Sequence, residues 1–280
     1  MRRRQFLRTS AAAAGGLAVL GSAPAPRMSS VPERLGVQLY TLRDVFPHDF
    51  MGVLDTLARM GYREVEFAGY HDRAPSAVRG ALDSAGLTAP SAHVQLEELE
   101  RNLDAVLEAA AVVGHRYVVL PSLPEDRRRS LDDYHRLAET FNRLGERARR
   151  ASVGFAYHNH AFEFETFGGG RPAFDVLLEE TDPAHVAFEM DLYWVTAAGH
   201  DPLAYVQRYP GRFPLVHLKD SAGAPDHTMR EVGRGVIDFP AFLARAERAG
   251  LRHVFVEHDE PEDGLASVRA SYRYLAGLRG

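Results

Sequence analysis

Short segments of apolar, β-branched and aromatic residues alternate with longer amphipathic segments, and this alternation constrains the fold more than any other feature. Eight segments have the composition of buried strands, at residues 35–40, 62–68, 87–94, 116–121, 153–160, 185–191, 213–220 and 253–259. Helix-like segments follow them at residues 49–60, 75–85, 97–113, 130–150, 172–181, 201–209, 239–249 and 264–278. Strict alternation of this kind predicts parallel strands joined by right-handed crossovers.

The number of strand–helix units distinguishes between the parallel α/β folds. Eight units favour a closed barrel over an open doubly wound sheet, and no glycine-rich dinucleotide fingerprint follows the first strand. About 250 residues remain after the N-terminal region, which is the usual length of one such barrel. We therefore predict an α/β fold with a single (β/α)8 TIM barrel at residues 35–280, preceded by a linker at residues 27–34.

Residues 1–26 have the features of an export signal. The run RRRQFLRTS contains Arg3 and Arg4 in a twin-arginine pattern, and a stretch rich in Ala and Gly follows it. That stretch is shorter than the ~20 residues of a spanning helix, which argues against an uncleaved anchor. The structural alternative is a frayed basic N-terminus. We predict cleavage near Ala23 to Ala25, transport by the twin-arginine export machinery, no stable membrane anchor after cleavage, and a periplasmic or extracellular location.

Charge and cysteine content exclude two kinds of interaction. The chain contains no cysteine, so it forms no disulfide and carries no lipid on a thiol. Its formal charge is −5 at pH 7, and removal of the arginine-rich signal makes it more negative. Because an acidic protein repels the phosphate backbone, we predict no nucleic-acid partner.

Ionisable side chains interrupt the apolar pattern at the ends of the last four predicted strands. They are His158, His160 and Glu163 in the fifth, Glu189 and Asp191 in the sixth, His217 and Lys219 in the seventh, and Glu257, His258 and Asp259 in the eighth. A single one of them would usually be a structural residue or a helix cap. In a barrel all of them converge on one mouth, where packed like charges need a counter-ion. The mixed nitrogen and oxygen donors suit one divalent cation, which can be Mn, Co, Mg or Zn.

Four short motifs occur in an order that resembles a known family. They are His158-Asn159-His160 with Glu163-Phe164, Asp191 with Tyr193-Trp194, His217-Leu218-Lys219-Asp220, and Val256-Glu257 with Asp259. Together they are similar to the pattern of the sugar phosphate isomerase/epimerase family, the xylose isomerase-like TIM barrels. The resemblance extends over nearly the whole chain after the signal. It implies a metal held by a Glu, an Asp, a His and a Glu on strands five to eight.

The implied metal ligands are clear for three of the four strands. Asp191, His217 and Glu257 match the family positions on the sixth, seventh and eighth strands. On the fifth strand, His158 stands where many members have the ligand Glu, so either His158 binds the metal or Glu163 reaches back to it. We favour Glu163, with His158 and His160 lining the substrate pocket.

Lys219 is the only lysine of the chain, and it follows His217 by two residues. This spacing places both side chains on the same side of a strand, facing the mouth. We predict that Lys219 binds a substrate oxygen or stabilises an enediolate, while a salt bridge with Asp191 or Glu189 is the structural alternative. Weaker candidates for substrate binding, each with a structural alternative, are Gln38, His93, Trp194 and Arg234, and Tyr40 and Glu66 are further weak candidates at the mouth.

The predicted chemistry is proton abstraction next to the carbonyl of a sugar or keto-sugar, as in an isomerase or epimerase that depends on a divalent metal. Glu257 is the base on one face of the substrate, and His158 or Glu163 acts on the other. One alternative is a lyase or hydrolase of 3-keto-glycosides that uses the same enolate, which export favours. A second alternative is a sugar-binding barrel without catalysis. All three interpretations predict a small carbohydrate ligand.

Overall fold

The computed structural model describes residues 31–167 and 170–279. Eight parallel strands lie in this part of the chain: β1 Gly36–Gln38, β2 Glu64–Phe67, β3 Thr88–His93, β4 Tyr117–Leu120, β5 Gly154–His158, β6 Val186–Asp191, β7 Leu215–Leu218 and β8 His253–Val256. They form a closed barrel in the order β1-β8-β7-β6-β5-β4-β3-β2. The predicted (β/α)8 barrel is therefore confirmed.

Ten α-helices connect and follow the strands within the described residues. They are α1 Phe50–Met60, α2 Pro75–Ala85, α3 Leu96–Val113, α4 Leu131–Arg150, α5 Ala173–Glu180, α6 Leu192–Ala197, α7 Pro202–Arg208, α8 Phe239–Leu243, α9 Ala246–Ala249 and α10 Gly264–Gly277. The described part of the chain contains no helix that is both long and apolar enough to cross a membrane.

Local sequence signals explain where the main helices start and stop. Asp49 and Ser130 cap α1 and α4, each accepting a hydrogen bond from a backbone N–H of the first turn. The residue after α1 is Gly61, whose φ of 112° is unfavourable for residues that have a Cβ atom. The signals therefore act as the sequence predicts, and the helices pack their apolar faces on the barrel.

Two helical regions differ from the sequence-based prediction. An additional helix, α6, begins directly at the end of β6, because the side chain of Asp191 accepts a hydrogen bond from the Trp194 N–H at 3.1 Å and caps it. The helix predicted at residues 239–249 is divided into α8 and α9 around Arg245, whose φ of −105° and ψ of 12° depart from helical values. The first difference matters for function, since it fixes Asp191 and Trp194 at the mouth.

Two small antiparallel strand pairs shape the loops after β5 and β7. Residues 166–167 pair with residues 171–172, and residues 220–221 pair with residues 229–230. In the second loop, the buried carboxylate of Asp220 accepts four backbone hydrogen bonds at 2.8 to 3.2 Å, from Ser221, Gly233, Gly235 and Ile237. One side chain thus holds residues 220–237 in place beside the mouth.

The predicted N-terminal segments lie only in part within the described residues. The predicted signal at residues 1–26 and the first residues of the predicted linker lie outside the described residues. The remaining linker residues pack on the barrel: Val31 is buried, Arg34 pairs with Glu64 at 3.1 Å, and Arg279 donates to the Glu33 carbonyl at 2.9 Å. In residues 31–34 the chain is therefore already in contact with the amino end of the barrel.

Candidate active site at the carboxyl end of the barrel

The strand register brings the polar strand ends together. Asp191 of β6 lies opposite His217 of β7, and His158 of β5 lies opposite Glu189 of β6. Glu66 and His93 complete the ring from β2 and β3. Residues two apart on a strand point to the same side, so Glu189 and Asp191 both face the barrel axis at different depths. The site consequently has two layers that share His217.

The lower layer consists of Glu66, His93, Glu189 and His217. The Nε2 atom of His217 lies 2.7 Å from Glu66 Oε2 and 3.2 Å from Glu189 Oε2. The Nε2 atom of His93 donates to Glu189 Oε2 at 2.8 Å. Burial alone would lower the pKa of His93, but Glu66 and Glu189 raise it to about 9. The two imidazoles and two carboxylates of this layer therefore neutralise one another.

The upper layer consists of His158, Asp191, His217 and Glu257, with one ligand atom of each within 4.8 Å of the others. The Nδ1 atom of His217 donates to Glu257 Oε2 at 2.8 Å, and His158 Nε2 lies 3.4 Å from Asp191 Oδ2. Burial opposes ionisation of Asp191, but Lys219 and His158 lower its pKa to about 2. Asp191 is therefore a carboxylate at neutral pH.

Two buried atoms of the upper layer make no regular hydrogen bond, namely His158 Nε2 and Asp191 Oδ2. They lie 3.4 Å apart, and the Lys219 ammonium lies beside them, 2.9 Å from Asp191 Oδ2. A ring nitrogen and a carboxylate oxygen that lie side by side without a shared hydrogen bond fit two ligands of one bound cation. The other ring nitrogen of His158 donates to the Pro121 carbonyl at 3.0 Å, which leaves the lone pair of Nε2 free to bind a metal. The upper layer thus has the donors and the orientation of a divalent-cation site.

Lys219 lies beside the upper layer and is only 1% exposed. Its ammonium lies 2.9 Å from Asp191 Oδ2, 2.8 Å from Glu257 Oε2 and 2.9 Å from Asp259 Oδ2. Burial would lower the pKa of Lys219, but Asp191 and Glu257 hold it well above its ordinary value. The contact with Asp191 agrees with the structural alternative, while the position of Lys219 on the cavity wall is compatible with substrate binding.

A cavity of about 780 Å³ opens above this cluster. Its polar wall is formed by His93, His158, His160, Lys219, Glu257 and Asp259. The rings of His160 and Trp194 lie 5.4 Å apart, and His160 Nδ1 and Trp194 Nε1 are buried without partners. Burial and the neighbouring His158 lower the pKa of His160 to about 2, so its imidazole is neutral. His160 therefore offers its ring to a ligand in the cavity, and Trp194 supports that ring from behind.

A second cavity, of about 840 Å³, lies at the opposite end of the barrel. Arginines line much of it, including Arg34 and Arg79, but Arg34 is paired with Glu64 and Arg79 with Asp83. The strand-end residues named above do not line it. Despite its larger volume, it lacks the convergent buried groups that mark a catalytic site.

Glu163 is not brought together with the other predicted ligands. The chain turns sharply after β5, and the carboxylate of Glu163 accepts hydrogen bonds from the Tyr157 hydroxyl and from the His160 N–H at 2.9 Å. Burial raises the pKa of Glu163 to about 7. In this geometry His158 takes the place that the sequence analysis gave to Glu163 as the fourth ligand. Glu163 also does not line the mouth cavity, which leaves His158 as the predicted second acid/base group that does.

Three predicted substrate-binding residues are not part of the cavity wall. Arg234 points into solvent with its side chain 65% exposed, 3.5 Å from Glu231, because the loop held by Asp220 turns it outward. Gln38 is buried and donates to Glu66 Oε2 at 2.8 Å, so it supports the lower layer. Trp194 lies behind the wall, against His160, whereas His93 and His160 do line the cavity.

Sequence reasoning placed three acidic residues of the site at the mouth but gave them no part in its chemistry. Glu66 was only a weak candidate, Glu189 only a strand-end group and a salt-bridge partner of Lys219, and Asp259 only a strand-end group in a family motif. Asp259 follows Glu257 by two residues, the same spacing that linked Lys219 to His217. Applying that spacing to β8 would have predicted its contact with Lys219.

The fold and the site together define a class: barrel enzymes whose polar site lies at the carboxyl ends of parallel strands. The chain belongs to the family of xylose isomerase-like TIM barrels, whose sequence model matches residues 54–276. This confirms the family resemblance seen in the motifs.

Individual relatives agree with this family. The chain is 25% identical over 257 residues to an inosose dehydratase of Lacticaseibacillus casei, covering 78% of this chain and 84% of that protein. It is 27% identical over 256 residues to the rhizopine catabolism protein MocC of Rhizobium meliloti, covering 76% and 75%. A solved sugar phosphate isomerase/epimerase from Parabacteroides distasonis is 27% identical with a TM-score of 0.76, covering 92% of this chain and 98% of that one.

Proposed function

We propose that this protein is a lyase that depends on one divalent cation, removes a proton next to the carbonyl of a keto-sugar or cyclic polyol ketone, and expels the substituent on the following carbon. The observation that carries the proposal is the convergence of His158, Asp191, His217 and Glu257 on a cavity that the ammonium of Lys219 also lines. His158 Nε2 and Asp191 Oδ2, which are buried and lie 3.4 Å apart without a regular hydrogen bond between them, support cation binding at this point.

The roles of the residues follow from their charge states. Burial opposes ionisation of Glu257, but Lys219 and His217 hold its pKa well below its ordinary value, so it is a carboxylate that can accept the proton. His158, Asp191, His217 and Glu257 would hold the cation, and His217 Nδ1 would then give up the proton that it donates to Glu257. When bound, it supplies positive charge next to the carbonyl oxygen. The ammonium of Lys219 donates a hydrogen bond to the same oxygen as its negative charge develops.

His93 is the group that we assign to the leaving substituent. It lines the cavity, and its pKa of about 9 keeps it protonated at neutral pH. As the carbon–hydrogen bond breaks toward Glu257, the electron pair forms a carbon–carbon double bond, and the substituent leaves with the electrons of its own bond. The proton of His93 then neutralises the departing oxygen.

The relatives support elimination over isomerisation. The name inosose dehydratase describes loss of water from a cyclic polyol ketone, and such a protein aligns over most of this chain. An isomerase or epimerase remains a second candidate, because the solved barrel from Parabacteroides distasonis bears that name. Both reactions share the first proton transfer and differ only in what happens to the enolate.

The test is to incubate the purified protein, loaded with Mn, Co, Mg or Zn in turn, with inososes, 3-keto-glycosides and ketohexoses in deuterated water. Elimination predicts a product that has lost water or an alcohol by mass spectrometry. Isomerisation would instead give a product of unchanged composition that carries deuterium next to the carbonyl. If no substrate exchanges a proton or reacts with any cation, the proposal is wrong, and the sugar-binding barrel is favoured.

A further inference from the structure

The mouth cavity continues beyond the ionisable side chains into a region with a different lining. We call this region the apolar cleft; it lies between the loop after β2, the end of β3 and the helix α3, and is lined by Ala68, Tyr70, Ala92, Val94, Val106 and Ala109. The cleft and the polar wall belong to the same cavity of about 780 Å³. A ligand bound at the polar wall can therefore extend into the cleft.

The cleft is wide because the residues along it are small. Gly69 also lines it with a φ of 105°, and a Cβ atom added there would meet no atom within 4 Å. Tyr70 presents its ring, since its hydroxyl is bound to His115 Nε2 at 2.6 Å. Alanines on β3 and α3 form the remaining walls. The surface that these residues offer to a ligand is thus mainly apolar, with Gln95 and Glu98 as the polar lining residues at the start of α3.

The cavity is larger than a compact sugar would fill. Pockets of about 300–1,000 Å³ commonly hold drug-sized ligands and bury most of their surface. A six-membered polyol ketone at the polar wall would leave the apolar cleft filled with water, which is unfavourable for apolar surface. The whole cavity is matched only by a ligand that is polar at one end and apolar at the other.

His93 lies between Ala92 and Val94 in the chain, and all three residues line the same cavity, as does Gln95. The proton donor that we assign to the departing oxygen therefore shares one cavity with the cleft. A substituent that leaves by elimination would have its oxygen at His93 and its carbon atoms in the cleft.

We propose that the apolar cleft binds an aromatic or aliphatic aglycone, so that the substrates are keto-glycosides with a hydrophobic leaving group. This inference rests on the proposed lyase function, which determines the bond that breaks. In a glycoside oxidised at carbon 3, Glu257 takes the proton of carbon 2, and a double bond forms between carbons 1 and 2. The bond from carbon 1 to the aglycone oxygen breaks, and His93 protonates the released alcohol or phenol.

The first experiment measures binding without any reaction. Calorimetry compares 4-nitrophenyl β-glucoside with methyl β-glucoside, neither of which carries a ketone. We expect the aryl glucoside to bind more tightly by on the order of 10- to 100-fold, the effect of burying one aromatic ring. Equal affinities for the two glucosides would overturn the proposal.

The second experiment uses matched tryptophan substitutions on α3. Ala109→Trp fills the apolar cleft and should abolish the preference for the aryl glucoside, whereas Ala111→Trp, at an exposed position outside the cleft, should leave it unchanged. Ala105→Trp, at an exposed cleft position, provides a second filling variant if Ala109→Trp fails to fold. If both filling variants retain the preference, or if they change only the oligomeric state, the cleft does not hold the aglycone.

The third experiment separates this inference from the proposed function. Release of 4-nitrophenol from its 3-keto-glucoside is followed with the cation-loaded protein. Binding preference without release would support the cleft and contradict the lyase. Reaction of compact ketones without any aryl preference would support the lyase and overturn the cleft.

Discussion

Lys219 is the residue on which the charge balance of the site depends. Its buried ammonium is within 3 Å of the carboxylates of Asp191, Glu257 and Asp259. Burial and the charge of Glu257 raise the pKa of Asp259 to about 6, so Asp259 is the one of these three carboxylates that is protonated most easily. Since several carboxylates converge here, both Lys219 and a bound cation lower their mutual repulsion.

Replacing Lys219 by Met tests whether the ammonium acts in catalysis. We expect Lys219→Met to retain the cation, because His158, Asp191, His217 and Glu257 are unchanged, and to lower the cation-saturated rate by on the order of 10²- to 10³-fold. The measurements are bound metal, thermal midpoint and saturated rate. A variant that is weakly metallated and less stable, yet fully active at saturating metal, would show that Lys219 is only a structural partner.

Glu163 provides a prediction about pH. Its ordinary pKa of 4.5 is raised to about 7 by burial in the folded state, so between these values the unfolded chain releases a proton that the folded chain retains. The free energy of unfolding therefore falls as pH rises from 4.5 to 7, by up to about 3 kcal/mol from this group. Glu163→Gln, which cannot ionise, should remove this part of the pH dependence in urea unfolding. An unchanged slope in the variant would contradict the raised pKa.

At the scale of elements, the loop after β7 depends on one buried carboxylate. Asp220 accepts backbone hydrogen bonds from residues 221, 233, 235 and 237. Because an amide group cannot accept as many hydrogen bonds as a carboxylate, we expect Asp220→Asn to lower the free energy of unfolding by roughly 2–4 kcal/mol. Asp226→Asn, at an exposed position of the same loop, is the matched control and should change little. Equal unfolding midpoints for the two variants would refute the role of Asp220.

The elements also show what could be predicted from sequence. The barrel followed from the alternation, and the convergence of Asp191, His217 and Glu257 followed from their places at the ends of parallel strands. Glu163 and Arg234 were misplaced because each lies in a loop, where the direction of a side chain depends on turns and on distant partners such as Tyr157. Asp191 has both roles that were considered for an acid at a strand end, helix cap and site residue. Its Oδ1 caps α6, and its Oδ2 faces the site.

At the scale of the whole molecule, export remains a prediction from residues 1–26. The twin-arginine pattern predicts that Arg3→Lys with Arg4→Lys retains the protein, uncleaved, in the cytoplasm. Fractionation and the molecular mass of the protein measure this outcome. A change of Arg2 to Lys in the same basic run serves as the control. Normal export of the double variant would exclude the twin-arginine route.

The central claim is that the barrel holds one divalent cation through His158, Asp191, His217 and Glu257. Metal content after dialysis, measured by mass spectrometry of the protein and of its single variants, tests it most directly. We predict one cation per chain in the wild type and in Glu163→Gln, and loss of the cation in His158→Ala with the fold intact by circular dichroism. Retention of the cation in His158→Ala together with its loss in Glu163→Gln would contradict the account.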